Sequence, residues 1–283
     1  MNKEKLTQVH EAIKPYIHKT PVLTSQSIDE IAGCNIFFKC ENFQKMGAFK
    51  MRGATYSALQ LSPEQRRKGI VTHSSGNMAQ AVSLAAKSLG IPAYIVMPEN
   101  APQVKKDAVR GYGGIITEVA SNIKSREAAA DKIVAERGAY FIHPSNDMDV
   151  ILGQGTSSYE LLSEYTDLDY VCIPVGGGGL VAGTALNVFH FGKGCKTVGS
   201  EPINVNDAYR SLEAGVILEN KTTDTIADGL RTHLGDINFP IIQKYVDRII
   251  CVEEDEIRNA MRLIWERMKI IIEPSCAVPL AAV

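Results

Sequence analysis

The sequence predicts an α/β protein of two lobes, each built on a parallel sheet. From roughly residue 69, short apolar runs alternate with helix-period segments, and a second alternating series starts after Pro144. Glycine-rich or polar turns sit where predicted strands hand over to helices. At 283 residues, 45% hydrophobic and 22% charged, the chain can bury two modest cores.

Taken in order, Asn35-Ile36-Phe37-Phe38-Lys39-Cys40 reads as a strand and Lys50 as the opening of a helix. The alternation proper begins with strand Gly69–Thr72, helix Met78–Leu89 and strand Ala93–Met97. It continues with a helix near Pro102–Gly111, strand Gly114–Thr117, a long helix near Ser125–Arg137 and strand Ala139–Ile142. The second series offers a helix through Gly155–Tyr165, strand Tyr170–Val175, a helix after Gly179 and strand Lys196–Ser200. The first ~50 residues are expected to rejoin the second series. That gives a discontinuous large domain, 1–52 and 146–283, with a small domain, 53–145, inserted and a cleft between them.

A net charge of −2 and a pI near 6.3 give no broad basic field, so neither nucleic acid nor an anionic membrane surface is the expected partner; a small molecule is. The charged N-terminal stretch has no apolar leader core and no run is of membrane length, so a cytoplasmic location is expected. The six cysteines, Cys34, Cys40, Cys172, Cys195, Cys251 and Cys276, form no C-x-x-C pair and read as free thiols in apolar company.

Lys50 lies in Gly47-Ala48-Phe49-Lys50-Met51-Arg52-Gly53-Ala54, at the start of a helix, where burial and neighbours can lower an amine's pKa and hold it still. Ser74-Ser75-Gly76-Asn77 brings backbone N–H groups and short polar side chains to one point at a strand end, although a helix cap alone also selects such residues. Gly176-Gly177-Gly178-Gly179 follows an apolar strand and precedes a helix, so main-chain donors can close on an anion. A dinucleotide site is the rival reading, with Glu201 about twenty residues on. It fits poorly, because Gly183 falls one position beyond the G-x-G-x-x-G spacing.

An amine, a polar helix start and a phosphate cup are what pyridoxal phosphate requires. Thr20-Pro21-Val22-Leu23-Thr24, Phe38-Lys39-Cys40-Glu41-Asn42, the Lys50 segment, Thr72-His73-Ser74-Ser75-Gly76-Asn77, the tetraglycine, Ile226-Ala227-Asp228-Gly229 and Ile272-Glu273-Pro274 occur in one order. On these motifs the chain resembles the fold-type II pyridoxal-phosphate enzymes, in particular the serine racemase and serine/threonine dehydratase group, along nearly its whole length.

The resemblance implies a three-layer fold like that of the tryptophan synthase β chain, and a homodimer. It makes Lys50 the Schiff-base lysine, Phe49 a packing group beside the ring, and Asn77 the donor to the cofactor's phenolic oxygen. Gly176, Gly177, Gly178 and Gly179 become the phosphate cup and Gly229 a backbone contact. Ser75 would face Lys50 across the cofactor plane, a pair able to take a proton from one face and return one to the other. Ser74, Ser75 and the Asn77 N–H would cradle the substrate carboxylate, with Arg126 and Thr232 nearby. Glu201, the Val205 carbonyl and Asp207 would hold Mg2+, or Ca2+ or Mn2+, through oxygen ligands.

The implied activity is elimination of water from L-serine or L-threonine to give a 2-keto acid and ammonia, with linked serine racemization. The alternatives are a 3-hydroxyaspartate dehydratase or a catalytically silent relative. Met78 stands where the group usually has His, and Thr232 where serine racemases have Ser. The sequence closes at Pro279-Leu280-Ala281-Ala282-Val283, ahead of the family's last core strand and its Ser-Gly-Gly-Asn-like segment, so that strand is expected to be missing.

Overall fold

The computed structural model describes residues 1–74 and 76–283. The chain opens with α1 (Lys3–Ile13), capped by the Asn2 side chain on the Lys5 N–H. β1 (Val22–Leu23), α2 (Gln26–Ala32) and β2 (Phe38–Lys39) follow, and β1 and β2 pair antiparallel. The expected strand over 35–40 thus shrinks to two residues. The Ile36 N–H is taken by the Asp29 carboxylate at 2.9 Å, which removes it from any ladder. Two 3₁₀ turns, Glu41–Phe43 and Lys45–Gly47, then intervene before α3 (Lys50–Gln60). Lys50 opens a helix as expected, but from these turns and not from a strand end.

After α4 (Pro63–Lys68), a four-stranded parallel sheet forms in the order β5-β4-β3-β6, from β3 (Ile70–His73), β4 (Ala93–Pro98), β5 (Ile115–Val119) and β6 (Tyr140–Phe141). Its crossovers are α5 (Asn77–Leu89), α6 (Gln103–Gly111) and α7 (Ile123–Arg137). Alternate residues of β3 bury on opposite faces: Ile70 packs with Ala79 and Val82 of α5, and Val71 with Ala130 and Ile133 of α7.

The second sheet is parallel in the order β7-β8-β9, from β7 (Tyr170–Pro174), β8 (Lys196–Pro202) and β9 (Val246–Val252). Around it lie α8 (Met148–Glu164), α9 (Gly179–Phe191), α10 (Asp207–Ala214), α11 (Phe239–Tyr245), α12 (Glu254–Leu263) and α13 (Pro274–Ala281). Ile249 of β9 packs with Val181 of α9 and Ile242 of α11, whereas Val252 packs with Ile257 of α12 and Val278 of α13. Both lobes are therefore helix–sheet–helix layers, the α/β class the alternation predicts.

One cluster crosses between the lobes. Leu6 and Val9 of α1, Met51 and Ala54 of α3, Val82 of α5 and Val150 of α8 belong to a single buried core. Glycines let α3, α8 and α9 approach closely. A Cβ on Gly53 of α3 would lie 2.8 Å from the Val150 carbonyl oxygen, and one on Gly153 of α8 2.6 Å from the Arg52 carbonyl oxygen. On the other flank of α8, a Cβ on Gly155 would meet the Gly183 carbonyl oxygen of α9 at 2.5 Å. Such backbone contact sets the separation of α3, α8 and α9 with no side chain as spacer.

Candidate active site

The Lys50 amine is half-buried, and its Nζ donates to the Pro144 carbonyl at 2.7 Å and lies 5.1 Å from the Phe49 ring centroid. Burial lowers its pKa from 10.5 to about 8, because the ammonium is the form that desolvation disfavours.

Two residues on, Arg52 is wholly buried and anchors the start of α3. Its guanidinium donates to Glu41 at 2.7 and 2.8 Å and to Glu160 of α8 at 2.8 and 2.9 Å, and Glu160 also accepts from Lys39 at 2.7 Å. Burial raises the Glu160 pKa, but the His10, Arg52 and Lys39 partners outweigh it and hold the carboxyl well below its usual range. This network was not legible in the sequence, since Glu160, which ties it together, lies over 100 positions from Lys39 and Arg52.

The tetraglycine turns from β7 into α9 with Gly178 at φ +80°, a left-handed conformation that favours glycine. A Cβ on Gly177 would collide with the Ser145 hydroxyl, one on Gly178 would lie 2.6 Å from Asn238 Oδ1, and one on Gly179 2.6 Å from Gln154 Oε1. Asn238, fully buried, donates Nδ2 to the Gly177 carbonyl at 2.9 Å and holds the loop shape. Gln154 donates to the same Pro144 carbonyl that takes Lys50, at 3.2 Å. Pro144, Ser145, Gln154 and Asn238 thus join the amine to the glycine cup. Sequence reasoning missed all four, because a carbonyl and three ordinary polar residues carry no spacing signal.

On the other side, Asn77 at the start of α5 donates Nδ2 to Glu273 Oε2 at 2.9 Å. Two residues further, Ser275 Oγ accepts from the Gly229 N–H at 3.1 Å, and a Cβ on Gly176 would lie 2.9 Å from the Gly229 carbonyl oxygen. A continuous path of contacts results, from Lys50 through the Pro144–Ser145 turn, the tetraglycine, Gly229 and the 273–275 segment to Asn77. Glu273 was quoted only as part of a motif; the structure gives it a contact across the lobes.

Ser74 accepts the Gly76 N–H on its Oγ at 3.2 Å while its own N–H bonds the Val96 carbonyl at 3.1 Å. Ser75 lies outside the described residues. Thr232 is exposed, with its Oγ1 3.1 Å from where a Gly177 Cβ would sit. Arg126 of α7 faces His73 at the end of β3, and its Nε is buried with no hydrogen-bond partner among the described residues. No hydrogen bond among the described residues brings Arg126 to Ser74 or Asn77.

Glu201 at the end of β8 and Asp207 at the start of α10 are wholly buried. Glu201 accepts the Ala208 and Tyr209 N–H groups at 3.2 and 2.8 Å; Asp207 accepts from Asn220 Nδ2 at 2.6 Å and the Leu234 N–H at 3.1 Å. Burial, and then the charge of Asp207, pushes the Glu201 carboxyl well above its usual value, and burial raises Asp207 as well. Val205, buried between them in sequence, ends the 3₁₀ turn that links β8 to α10. Among the described residues no group of three or more His, Cys, Asp or Glu converges, so a cation here would need the Val205 carbonyl and water to complete its shell.

Comparison with known proteins gives one consistent result. The chain is 46% identical over 280 residues to a serine racemase of Dictyostelium discoideum, covering 98% of this chain and 86% of that protein. It is also 46% identical over 280 residues to the β-hydroxyaspartate dehydratase of Paracoccus denitrificans, covering 99% of this chain and 89% of that one. The structure of maize serine racemase superposes with a TM-score of 0.97 at 45% identity, over 99% of this chain and 85% of the maize chain. Residues 13–283 match the family described as pyridoxal-phosphate dependent enzyme, and with the amine, glycine cup and polar helix start joined by one path of contacts, the chain belongs to that family.

Proposed function

We propose that the protein is a pyridoxal-phosphate ammonia-lyase acting on serine- or threonine-type β-hydroxy amino acids, with linked serine racemization, on a site between domains 1–52/146–283 and 53–145. The observation that carries this is the path itself: an amine of lowered pKa and a side-chain-free anion cup share the Pro144–Ser145 turn, with Asn77 opposite. These residues fit the cofactor. Lys50 would hold its aldehyde carbon, Gly176 to Gly179 its phosphate, Asn77 its phenolic oxygen, with Phe49 and Gly229 packed around the ring. When bound, the group supplies delocalisation of the carbanion formed at the substrate Cα.

Lys50, once freed by the substrate amine, takes the Cα proton; its lowered pKa leaves a useful fraction uncharged near neutrality. Ser75 returns a proton to the opposite face when the product is the enantiomer, and loss of the β-hydroxyl instead leads to the keto acid and ammonia. Ser74 and the Asn77 N–H orient the substrate carboxylate. Glu201, the Val205 carbonyl and Asp207 hold Mg2+ or a similar hard cation, a role supported by two wholly buried carboxylates whose pKa values burial raises and which form no ion pair among the described residues. The same reading includes a cytoplasmic homodimer, supported by the resemblance to this group of enzymes; no described helix is long and apolar enough to cross a membrane.

A second reading, dehydration of 3-hydroxyaspartate, is supported by the Paracoccus relative and by the unpartnered Arg126 Nε, which could meet a second carboxylate. The test is an absorbance band at about 410–420 nm that borohydride or Lys50→Ala abolishes. Product assays on L-serine, D-serine, L-threonine and 3-hydroxyaspartate accompany it. Turnover of hydroxyaspartate alone would replace the first reading by the second; a protein that stays colourless with added cofactor would sink both.

A further inference from the structure

We infer that His143 is a positioning residue for Lys50: its imidazole holds the turn whose Pro144 carbonyl docks the lysine nitrogen whenever that nitrogen is free. The inference rests on the reading of Lys50 as the Schiff-base lysine.

His143 Nδ1 is the acceptor for two backbone N–H groups, those of Ser145 at 3.1 Å and Asn146 at 2.8 Å. An imidazole nitrogen that accepts cannot carry hydrogen, so the ring proton sits on Nε2 and the ring is fixed as one neutral tautomer. Packing agrees with this. The ring meets Phe141 edge-on at 6.2 Å and His73 at 6.3 Å. Burial first, then coupling to His73 and Lys50, lowers its pKa to about 4, with Asp236 opposing. His73 in turn faces Arg126, Glu127 and Asp131.

With Ser145 and Asn146 tied back to the ring, the turn has one shape. The Pro144 carbonyl points at Lys50 Nζ and Gln154 Nε2, at 2.7 and 3.2 Å, and uses both lone pairs. Beyond it, the Ser145 carbonyl accepts from Asn238 at 3.3 Å, and Asn146 bonds Asp236 and the Ile237 N–H. A carbonyl suits a catalytic amine better than a carboxylate would, because it aims Nζ without strongly favouring the ammonium. Keeping His143 neutral also removes a second positive charge from beside the amine.

The experiment follows imine formation in cofactor-free protein mixed with pyridoxal phosphate, trapped by borohydride across a pH series. A wild-type protein that forms no trappable imine would sink the Lys50 reading itself. Given a competent wild type, His143→Phe keeps the ring packing but offers no acceptor; it should form the imine about ten- to a hundredfold more slowly, the upper figure being the scale of a 1 Å misplacement. Its pH midpoint should fall below the wild-type value near 8, because the ammonium has lost its acceptor. His143→Asn, whose Oδ1 can take both N–H groups, should keep rate and midpoint close to wild type. Binding of 4′-deoxypyridoxine phosphate, which has no aldehyde, should weaken by a much smaller factor than the imine rate falls in His143→Phe, and an equal fall in both would overturn the inference. Wild-type rate and midpoint in His143→Phe would overturn the inference. An independent check on the wild type needs no variant to fold: two-bond 1H–15N spectra should show His143 protonated on Nε2 only at neutral pH, and a proton on Nδ1 would overturn it equally.

Discussion

Lys50 shows how little is needed around an amine to lower its pKa. Its pKa is lowered by burial alone, with no neighbouring cation required. The sign follows: the folded state disfavours the ammonium, so the cofactor-free protein should gain stability as pH rises from about 8 towards 10.5, and denaturation midpoints across that window test it. Imine formation should rise through about pH 8, where the folded-state amine loses its proton, and Lys50→Ala should abolish both the imine and the activity. Arg52 makes the opposite case. Arg52→Ala should cost about 3–5 kcal/mol in chemical denaturation, since it strands Glu160 as a buried charge, and Glu41 as a half-buried one, without their main partner. Lys50 was legible because its neighbours in sequence are helix-start and glycine signals. Pro144, His143, Glu273 and Arg52's partners were not, because contacts between positions up to 196 apart leave no local pattern.

Elements whose chemistry lies in the backbone were the most readable. The tetraglycine marks a left-handed turn at Gly178, and Gly178→Ala should weaken pyridoxal phosphate binding at least about tenfold, by strain and by pushing on Asn238. Equilibrium titration of cofactor absorbance measures this. The strand at 35–40 was over-read because an apolar run cannot reveal that Asp29 takes its N–H. Conversely, β9 escaped notice because Asp247 and Arg248 interrupt its apolar pattern; Asp247 is accommodated by an ion pair at 2.9 Å to Lys196 on the neighbouring strand. For the β8–α10 turn, a chelator should lower the wild-type melting temperature and Mg2+ should restore it. Glu201→Gln should be insensitive to either.

At the scale of the whole molecule, the site is shared between the two sheets and few polar contacts tie its outer rim. Asn77 to Glu273 is one, and Lys105 of α6 to Asp228, at 3.4 Å, is another. Pyridoxal phosphate spanning Lys50, Asn77 and the cup should therefore raise the melting temperature in a concentration-dependent way, and Glu273→Ala should reduce that rise more than it lowers the cofactor-free value. Scanning calorimetry with and without cofactor separates the two effects. The two-lobed α/β plan was legible from alternation alone, but the bridging core of α1, α3, α5 and α8 was not, because its apolar residues come from segments that each look like ordinary surface helices.

The glycine crossings of α8 carry a consequence for how variation in this chain should be interpreted. Lys50 begins α3 and Gly179 of the tetraglycine begins α9, so the thickness of α8 between them is a gauge that fixes the span from the amine to the glycine turn. Gly53, Gly153, Gly155 and Gly183 lie outside the contacts that join the two, yet a methyl group at any of them would alter that gauge. A mutational screen scored by activity would rank these four positions among the catalytic residues, and only their dependence on one another, each change being tolerated when the facing helix shifts to match, would reveal them as dimensions and not as chemistry.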